Sequence, residues 1–310
     1  MKSDASGIMH QSIHRSASMS LNFRSPEVVQ ACRNQLGESP VWDERTQTLH
    51  WTNIHACEIW SWEVSASAPV VRTMPERIGA IGLREGGGLV IALESGFATL
   101  KADSSQPVPI ASLPDPAAHT RLNDGRVAPD GRFLCGGMSE EQPQRANAAL
   151  YALDADSSVR TLLTDIACAN SLCWSPNGRT LYFSDMATRR IDAFDYADGK
   201  IANRRIFAEL TTPGAPDGSI VDEDGFLWNA QWGGGKLVRY APDGSVDREV
   251  ALPVSNPTCM VFGGPELDIM YITTAWFTLD PATREKEPYA GSLFAWRPGV
   301  RGLPSPRFQG

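Results

Sequence analysis

The sequence predicts an all-β protein, a six-bladed β-propeller with a single metal site in its central channel. Short apolar segments recur at intervals of 40 to 47 residues, and Asp-Gly or Asn-Gly turns separate several of them. Long amphipathic helices with a 3.6-residue period are absent from the sequence, which disfavours an α/β fold. A β-sandwich or a β-helix with evenly spaced hairpins is the alternative architecture.

The first 25 residues precede the repeats and predict a flexible N-terminal tail, so that residues 26–310 form one propeller domain. This segment is rich in serine and lacks the continuous apolar core of a secretory signal. Apolar stretches elsewhere are far shorter than the ~20 residues of a membrane-spanning helix. We therefore expect a cytoplasmic protein that has no membrane partner.

Each repeat unit contains a short apolar strand, a turn, a second strand, a loop and a third strand that ends in an aromatic residue. The fourth unit reads NSLCWS, PNG, RTLYFSD and RRIDAFDY, and the fifth reads GSIVD, EDG, FLWNAQW and GKLVRYAPDG. The six units begin near Glu38, Ala80, Asn123, Asn170, Asp217 and Pro257. The resulting spacings of 42, 43, 47, 47 and 40 residues fit four-stranded propeller blades.

Side chains that carry oxygen atoms stand at the head of four units: Glu38, Asn123, Asn170 and Asp217. In a propeller the innermost strands line the channel in the same direction, so equivalent positions converge at one mouth. Carboxylate and amide oxygens together suit Ca²⁺, Mg²⁺, Mn²⁺, Fe²⁺ or Zn²⁺. A cation would also remove the repulsion between two neighbouring carboxylates. Taken singly, these residues have a simpler explanation, because they are also good turn formers or loop caps.

Composition and motifs exclude several classes of function. The formal net charge is −8 and no run of Lys or Arg could follow a phosphate backbone, so a nucleic-acid partner is not expected. The chain has no GxSxG, HExxH or Walker motif, and its five histidines are scattered. A serine hydrolase, a zinc protease and a nucleotide-binding enzyme are therefore disfavoured.

Several longer motifs resemble the SMP-30/gluconolactonase/regucalcin-like sugar lactonases. They include GESPVWDERTQTLHWTNI, RLNDGRVAPDGRFLCGGMSEE, ANSLCWSPNGRTLYFSD and PDGSIVDEDGFLWNAQWGGGKLVRY, and the resemblance runs from about Leu36 to Trp296. It implies metal-dependent hydrolysis of a sugar-acid lactone to the free acid in carbohydrate catabolism. Arabinono-, xylono-, glucono- and galactonolactone are all candidate substrates.

The resemblance also implies roles for particular residues. The ligands of one divalent ion, whether Ca, Zn, Mn, Mg or Fe(II), would be Glu38, Asn170 and Asp217. Asp217 would double as the general base that takes a proton from the attacking water. The sugar hydroxyls would be bound by Arg121, Asn123 and Glu141. A structural salt bridge is the alternative role for Arg121.

Two other functions remain open at this point. A calcium-binding regulatory propeller without turnover would use the same metal ligands. Hydrolysis of another ester, such as an organophosphate, fits less well, because an apolar ester would leave the polar groups meant for sugar hydroxyls unpaired. The chain also departs from the common family motif, since Ser171 stands where the family has glycine and Cys173 precedes Trp174. These departures affect the shape of the pocket and leave the proposed ligands in place.

Overall fold

The computed structural model describes residues 25–310 and confirms the all-β, six-bladed propeller. The predicted flexible tail covers residues 1–25, and residues 1–24 of it lie outside the described part of the chain. Within residues 25–310, no helix is both long and apolar enough to cross a membrane.

The first three blades are antiparallel sheets of consecutive strands, and β1 (Glu27–Gln30) precedes them. Blade 1 contains β2 (Gly37–Asp43), β3 (Thr48–Asn53), the 3-10 turn Ile54–Ala56, β4 (Glu58–Glu63) and β5 (Val70–Thr73). Blade 2 contains β6 (Ile78–Arg84), β7 (Leu89–Leu93), β8 (Gly96–Leu100) and β9 (Val108–Ser112). Blade 3 contains β10 (Thr120–Val127), β11 (Phe133–Ser139), β12 (Ala148–Leu153) and β13 (Val159–Ile166).

The last three blades follow the same pattern. Blade 4 contains β14 (Ala169–Trp174), β15 (Thr180–Asp185), the 3-10 turn Met186–Thr188, β16 (Arg190–Ala197) and β17 (Lys200–Glu209). Blade 5 contains β18 (Ala215–Val221), β19 (Leu227–Trp232), β20 (Lys236–Tyr240) and β21 (Val246–Ala251). Blade 6 contains β22 (Pro257–Gly263), β23 (Ile269–Thr274), the helix α1 (Pro281–Lys286) and β24 (Leu293–Trp296).

The two ends of the described chain close the ring. Strand β1 pairs with β24 and becomes the outermost strand of blade 6. The N-terminal strand of the described chain thus completes the last blade. The last strand, β25 (Arg307–Phe308), pairs in parallel with β6 on the channel side of blade 2. The six innermost strands, one per blade, contact one another in a complete circle and thereby enclose the central channel.

Every innermost strand has a shift of register close to its start. Each irregularity includes one residue at an equivalent position in its blade: Ser39, Gly79, Asp124, Ser171, Gly218 and Thr258. The residue before each one is the head of its blade: Glu38, Ile78, Asn123, Asn170, Asp217 and Pro257. The predicted start at Ala80 is therefore two residues too late, because the second head is the apolar Ile78 and provides no polar signal. The other five starts are confirmed.

Side chains in these irregular positions join neighbouring blades. Ser39 Oγ accepts a hydrogen bond of 2.9 Å from the backbone N–H of Ile81, which links blade 1 to blade 2. Asp124 Oδ2 accepts one of 2.8 Å from the backbone N–H of Leu172, which links blade 3 to blade 4. Such bonds satisfy backbone groups that the irregular ladder leaves unpaired, and they fix the relative height of adjacent strands.

Two of the remaining junctions require glycine. A Cβ atom added to Gly79 would lie 2.4 Å from the backbone oxygen of Leu122, and one added to Gly218 would lie 2.4 Å from Cys259 Sγ. The backbones of blades 2 and 3, and of blades 5 and 6, can therefore approach closely only because these residues have no side chain. Together with the side-chain bonds, this packing places all six heads at one end of the channel.

Candidate active site

The heads of blades 3 and 4 are in direct contact. Asn123 Nδ2 donates to Asn170 Oδ1 at 3.3 Å and to the backbone oxygen of Ala169 at 3.0 Å. Asn170 is only 2% exposed. Arg121 Nη1 in turn donates to Asn123 Oδ1 at 2.9 Å. The structure thus brings Arg121, Asn123 and Asn170 together in one chain of hydrogen bonds across two blades.

The heads of blades 1 and 5 are buried carboxyl groups that influence each other. Glu38 and Asp217 are 8% and 4% exposed. Burial, with the charge of Asp124 second, raises the pKa of Glu38 to about 8. Burial, followed by the charges of Glu38 and Asp124, raises the pKa of Asp217 well above its ordinary value. The two predicted acidic ligands therefore lie within electrostatic range of each other, as their register implied.

Asp124 is a third buried carboxyl group at this site, and the sequence analysis did not single it out. It is 6% exposed, and burial raises its pKa. The shift of register between Leu122 and Gly125 is the structural reason, because it places both Asn123 and Asp124 in one irregular segment of β10. The adjacency of the two polar residues in the RLND motif was the only available signal.

The residues present fit a divalent cation. Among the described residues, no Lys or Arg nitrogen lies within 4.0 Å of the carboxylate oxygens of Glu38, Asp124 or Asp217. Buried carboxylates without such partners are costly unless a cation neutralises them. In the described part of the chain, no three His, Cys, Asp or Glu side chains are grouped as a metal shell. The fit therefore depends on two carboxylates together with the amide oxygen of Asn170, a donor set typical of hard cations.

Arg121 is buried beside the predicted ligands, and part of its hydrogen-bonding capacity is unused. It is 5% exposed, and its Nη1 donates to the backbone oxygen of Leu122 and to Asn123. Its Nε has no hydrogen-bond partner among the described residues, and the nearest carboxylate oxygen, Glu140 Oε1, is 3.7 Å away. Arg77 instead binds both oxygens of Glu140, at 2.6 and 2.8 Å. The guanidinium of Arg121 is thus held in place while donors remain for a ligand.

Glu141 has different partners from the other predicted site residues. Its Oε2 lies 2.9 Å from Arg145 Nε, and Asn147 Nδ2 lies 3.5 Å from its Oε1. Of the two adjacent glutamates, it is Glu140 that the structure places next to Arg121. Glu141 is part of the same loop after β11, at the same mouth of the channel, but its described contacts do not join it to the chain of hydrogen bonds through Asn123.

The serine that replaces the family glycine has a defined structural role. Ser171 has a φ of 64°, which lies in the left-handed region that favours glycine. Its side chain is fully buried, and its Oγ donates to the backbone oxygen of Asp217 at 2.5 Å. Asn229 Nδ2 donates to the same oxygen at 3.1 Å. The substitution therefore adds an interblade hydrogen bond directly at the predicted general base.

Arg126 separates the site from the other end of the channel. Its guanidinium crosses from blade 3 and donates to the backbone oxygens of Leu172 at 3.0 Å and Ser219 at 3.1 Å. Its charge also lowers the pKa of Glu38 and of Asp124, against the larger effect of burial. Beyond it lies a cavity of about 430 Å³, which residues 303–306 help to line. The head residues therefore face the opposite mouth.

Comparison with known proteins supports the resemblance found in the motifs. Residues 36–276 match the family model described as the SMP-30/Gluconolactonase/LRE-like region. The chain is 39% identical to an L-arabinolactonase from Azospirillum brasilense over 284 residues, which cover 90% of this chain and 93% of the relative. It is 34% identical to a 6-deoxy-6-sulfogluconolactonase from Pseudomonas putida over 278 residues, which cover 89% and 95%.

A solved structure has the same architecture. A calcium-binding protein, regucalcin, from Agrobacterium tumefaciens superposes with a TM-score of 0.87 at 27% identity, over 93% of this chain and 98% of that one. The fold, the matched family model and the sequence identity over nine-tenths of the chain all indicate the same family. This protein belongs to the SMP-30/gluconolactonase/LRE-like family.

Proposed function

We propose that this protein is a metal-dependent sugar lactone hydrolase that opens an aldonolactone to the free sugar acid. The observation that carries the proposal is that Glu38, Asn170 and Asp217 are all buried and occupy equivalent positions at the starts of the innermost strands of their blades. Relatives that are named lactonases support the reaction class. The relative at 39% identity is an L-arabinolactonase, so a pentonolactone comes first among the substrates to test.

The residues of the chain provide the other parts of a hydrolytic site. A divalent ion held by Glu38, Asn170 and Asp217 would supply Lewis-acid polarisation of the lactone carbonyl. Asp217 has two oxygens, so that one can bind the ion while the other accepts the proton of an attacking water. The backbone of Asp217 is fixed by the hydrogen bonds from Ser171 and Asn229, which restricts how far its carboxylate can move.

We assign substrate binding to Arg121 and Asn123, which we call the polar wall of the mouth. The hydrogen bonds of Arg121 to described residues come from Nη1, which leaves Nη2 as a donor, and Asn123 is held by Arg121 on one side and contacts Asn170 on the other. These groups can donate to ring and exocyclic hydroxyls, and a lactone without hydroxyls would leave them unpaired. Glu141 remains a further candidate for contact with a hydroxyl, from the loop after β11.

Proton release during lactone hydrolysis tests the proposal. Wild-type protein, Asp217→Asn and the exposed-site control Asp243→Asn would be compared on a panel of pentono- and hexonolactones. We expect Asp217→Asn to lose about 10²–10⁴-fold in kcat, the usual contribution of a general base, while the control keeps its activity. Full activity in Asp217→Asn would overturn the assignment.

A calcium-binding regulatory role without turnover is the second candidate. It is favoured by the match to a structure described as a calcium-binding protein. Both functions would use the same ligands. They are distinguished by the lactone panel, since a purely regulatory protein would bind calcium and hydrolyse no member of it.

A further inference from the structure

Three aromatic rings stand at the mouth of the channel, at the end of the second strand of their blades or just beyond it. His55 follows β3, Trp232 ends β19 and Phe277 follows β23. These strands end beside the heads of their blades, since Trp232 pairs with Ala215 and Asn53 pairs with Gly37. We call the three rings the aromatic wall.

The rings contact one another and form a continuous surface. The centroids of His55 and Phe277 are 4.5 Å apart in an edge-to-face arrangement, and those of Trp232 and Phe277 are 5.7 Å apart. Trp232 packs on a small buried cluster of Leu36, Ile54 and Ala275, which supports the wall from below. The wall therefore rests, at Trp232, on a buried apolar base.

Phe277 leaves much of its ring uncovered. It is 40% exposed, although its backbone is anchored by a hydrogen bond of 3.2 Å to the backbone oxygen of Gln35. The interior of the propeller is filled by other residues, so folding does not require an aromatic side chain at this exposed position. Grouped apolar side chains with polar neighbours mark interaction surfaces, so the contacts of Phe277 with His55 and Trp232 at the mouth make the three rings a candidate surface for a ligand.

The aromatic wall faces the polar wall that contains Arg121. Blade 6, which carries Phe277, lies opposite blade 3 in a ring of six, and blade 3 carries Arg121. Burial lowers the pKa of His55 to about 4, and the charges of Arg121 and Arg77 add to the effect, so His55 lies within electrostatic range of both arginines. Its Nε2 is buried and has no hydrogen-bond partner among the described residues. His55 is therefore a neutral ring at neutral pH.

We propose that the aromatic wall of His55, Trp232 and Phe277 is a specificity determinant of this lactonase. It packs on the C–H face of a neutral lactone ring and disfavours lactones that carry an anionic substituent on that side. This inference rests on the proposed function. Its physical basis is that an aromatic face buries apolar area but presents the negative side of its quadrupole, which repels an anion. The hydroxyl edge of the same lactone would meet Arg121 and Asn123 on the opposite wall.

Steady-state kinetics with two lactones test the proposal. The probes are L-arabinono-1,4-lactone, which is neutral, and 6-phospho-D-glucono-1,5-lactone, with its uncatalysed hydrolysis subtracted. For Phe277→Ala we expect KM for the neutral lactone to rise about fivefold to tenfold while kcat stays within about twofold, because the ring contributes to binding and takes no part in the chemistry. For Phe277→Arg we expect kcat/KM for the phosphorylated lactone to rise at least about tenfold relative to the neutral one.

The controls separate this inference from the function on which it rests. Val246→Ala changes a 57% exposed apolar side chain on the outermost strand of blade 5, far from the channel, and should leave both substrates unaffected. If the wild-type protein hydrolyses no lactone, the proposed function is wrong and the inference falls with it. If the wild type is active but neither Phe277 variant changes KM or the substrate ratio, the inference alone is overturned.

Discussion

Replacing Ser171 with alanine removes the hydrogen bond that joins blade 4 to the backbone oxygen of Asp217. A net hydrogen bond of this kind contributes about 1 kcal/mol to the free energy of unfolding. The acceptor keeps its bond from Asn229, so it is not left unpaired and no larger penalty is expected. Alanine also keeps a Cβ atom in the left-handed conformation. Ser171→Ala should therefore lower stability by about 1 kcal/mol.

Ser171→Gly loses the same hydrogen bond but relieves the backbone strain. A non-glycine residue in the left-handed region costs about 1 kcal/mol, and this gain is partly offset by the greater freedom of glycine in the unfolded chain. We therefore expect Ser171→Gly to be more stable than Ser171→Ala by about 0.5–1 kcal/mol. Urea unfolding monitored by tryptophan fluorescence measures both, read as midpoint shifts at unchanged m value. The reasoning would be refuted if alanine were the more stable replacement, or if neither variant differed from the wild type.

Three further outcomes follow from other buried groups. Asp222→Asn should lower the free energy of unfolding by about 1.5–3 kcal/mol, because the fully buried Asp222 carboxylate accepts charged hydrogen bonds from Arg239 at 2.7 and 2.9 Å, while Arg239 keeps its ion pairs with Asp247 and Asp224; urea unfolding would show it. His50 should contribute a fall in stability as the pH is lowered from 6.5 towards 4, because burial lowers its pKa to about 4 while the unfolded chain takes up the proton near 6.5. The raised pKa of Glu38 acts in the opposite direction, so the contribution of His50 is the difference between wild type and His50→Asn in thermal unfolding at several pH values. Phe308→Ala should cost about 3–5 kcal/mol, since the ring is fully buried; a small effect would mean that β25 is not part of the cooperative fold.

The sequence was sufficient to predict the architecture because the turns and the blade heads recur at nearly constant spacing. Asn123, Asn170 and Asp217 are 47 residues apart, and this equal spacing placed them correctly at one mouth. The second blade could not be aligned in the same way, because its head is Ile78 and resembles the apolar residues around it. Periodicity identifies a position only where its residue differs from its neighbours.

The positions of Asp124, Glu140 and Glu141 in the site could not be predicted from the repeat, because they depend on strand irregularities and loop contacts that do not recur along the sequence. Asp124 enters the site because β10 is irregular between Leu122 and Gly125, which places two consecutive polar residues in one irregular segment. The choice between Glu140 and Glu141 is made by the loop after β11, where Arg77 from blade 2 binds Glu140 and Arg145 binds Glu141. Arg77 is distant in sequence from Glu140, and Arg145 is a local partner of Glu141 in the loop. No motif spacing predicts either pair.

The role of Ser171 likewise required the structure. From sequence it was a departure from the family glycine with no predictable effect. The structure shows that Ser171 adopts the left-handed backbone conformation that favours glycine, while its hydroxyl donates to the backbone oxygen of Asp217 in the neighbouring blade. The aromatic wall was missed for a similar reason, because its three residues come from blades 1, 5 and 6 and are adjacent only after the ring has closed.

We expect lactone hydrolysis by this protein to require one divalent ion, held by the buried heads Glu38, Asn170 and Asp217. This expectation is tested most directly by stripping the wild-type protein with a chelator and measuring hydrolysis of a pentonolactone as Ca²⁺, Zn²⁺, Mn²⁺ or Mg²⁺ is added back, with bound metal determined on the same sample. Activity should disappear on stripping and return as about one equivalent of metal binds, and Glu38→Gln should bind the metal more weakly. Full activity in a sample shown to contain no metal would contradict it.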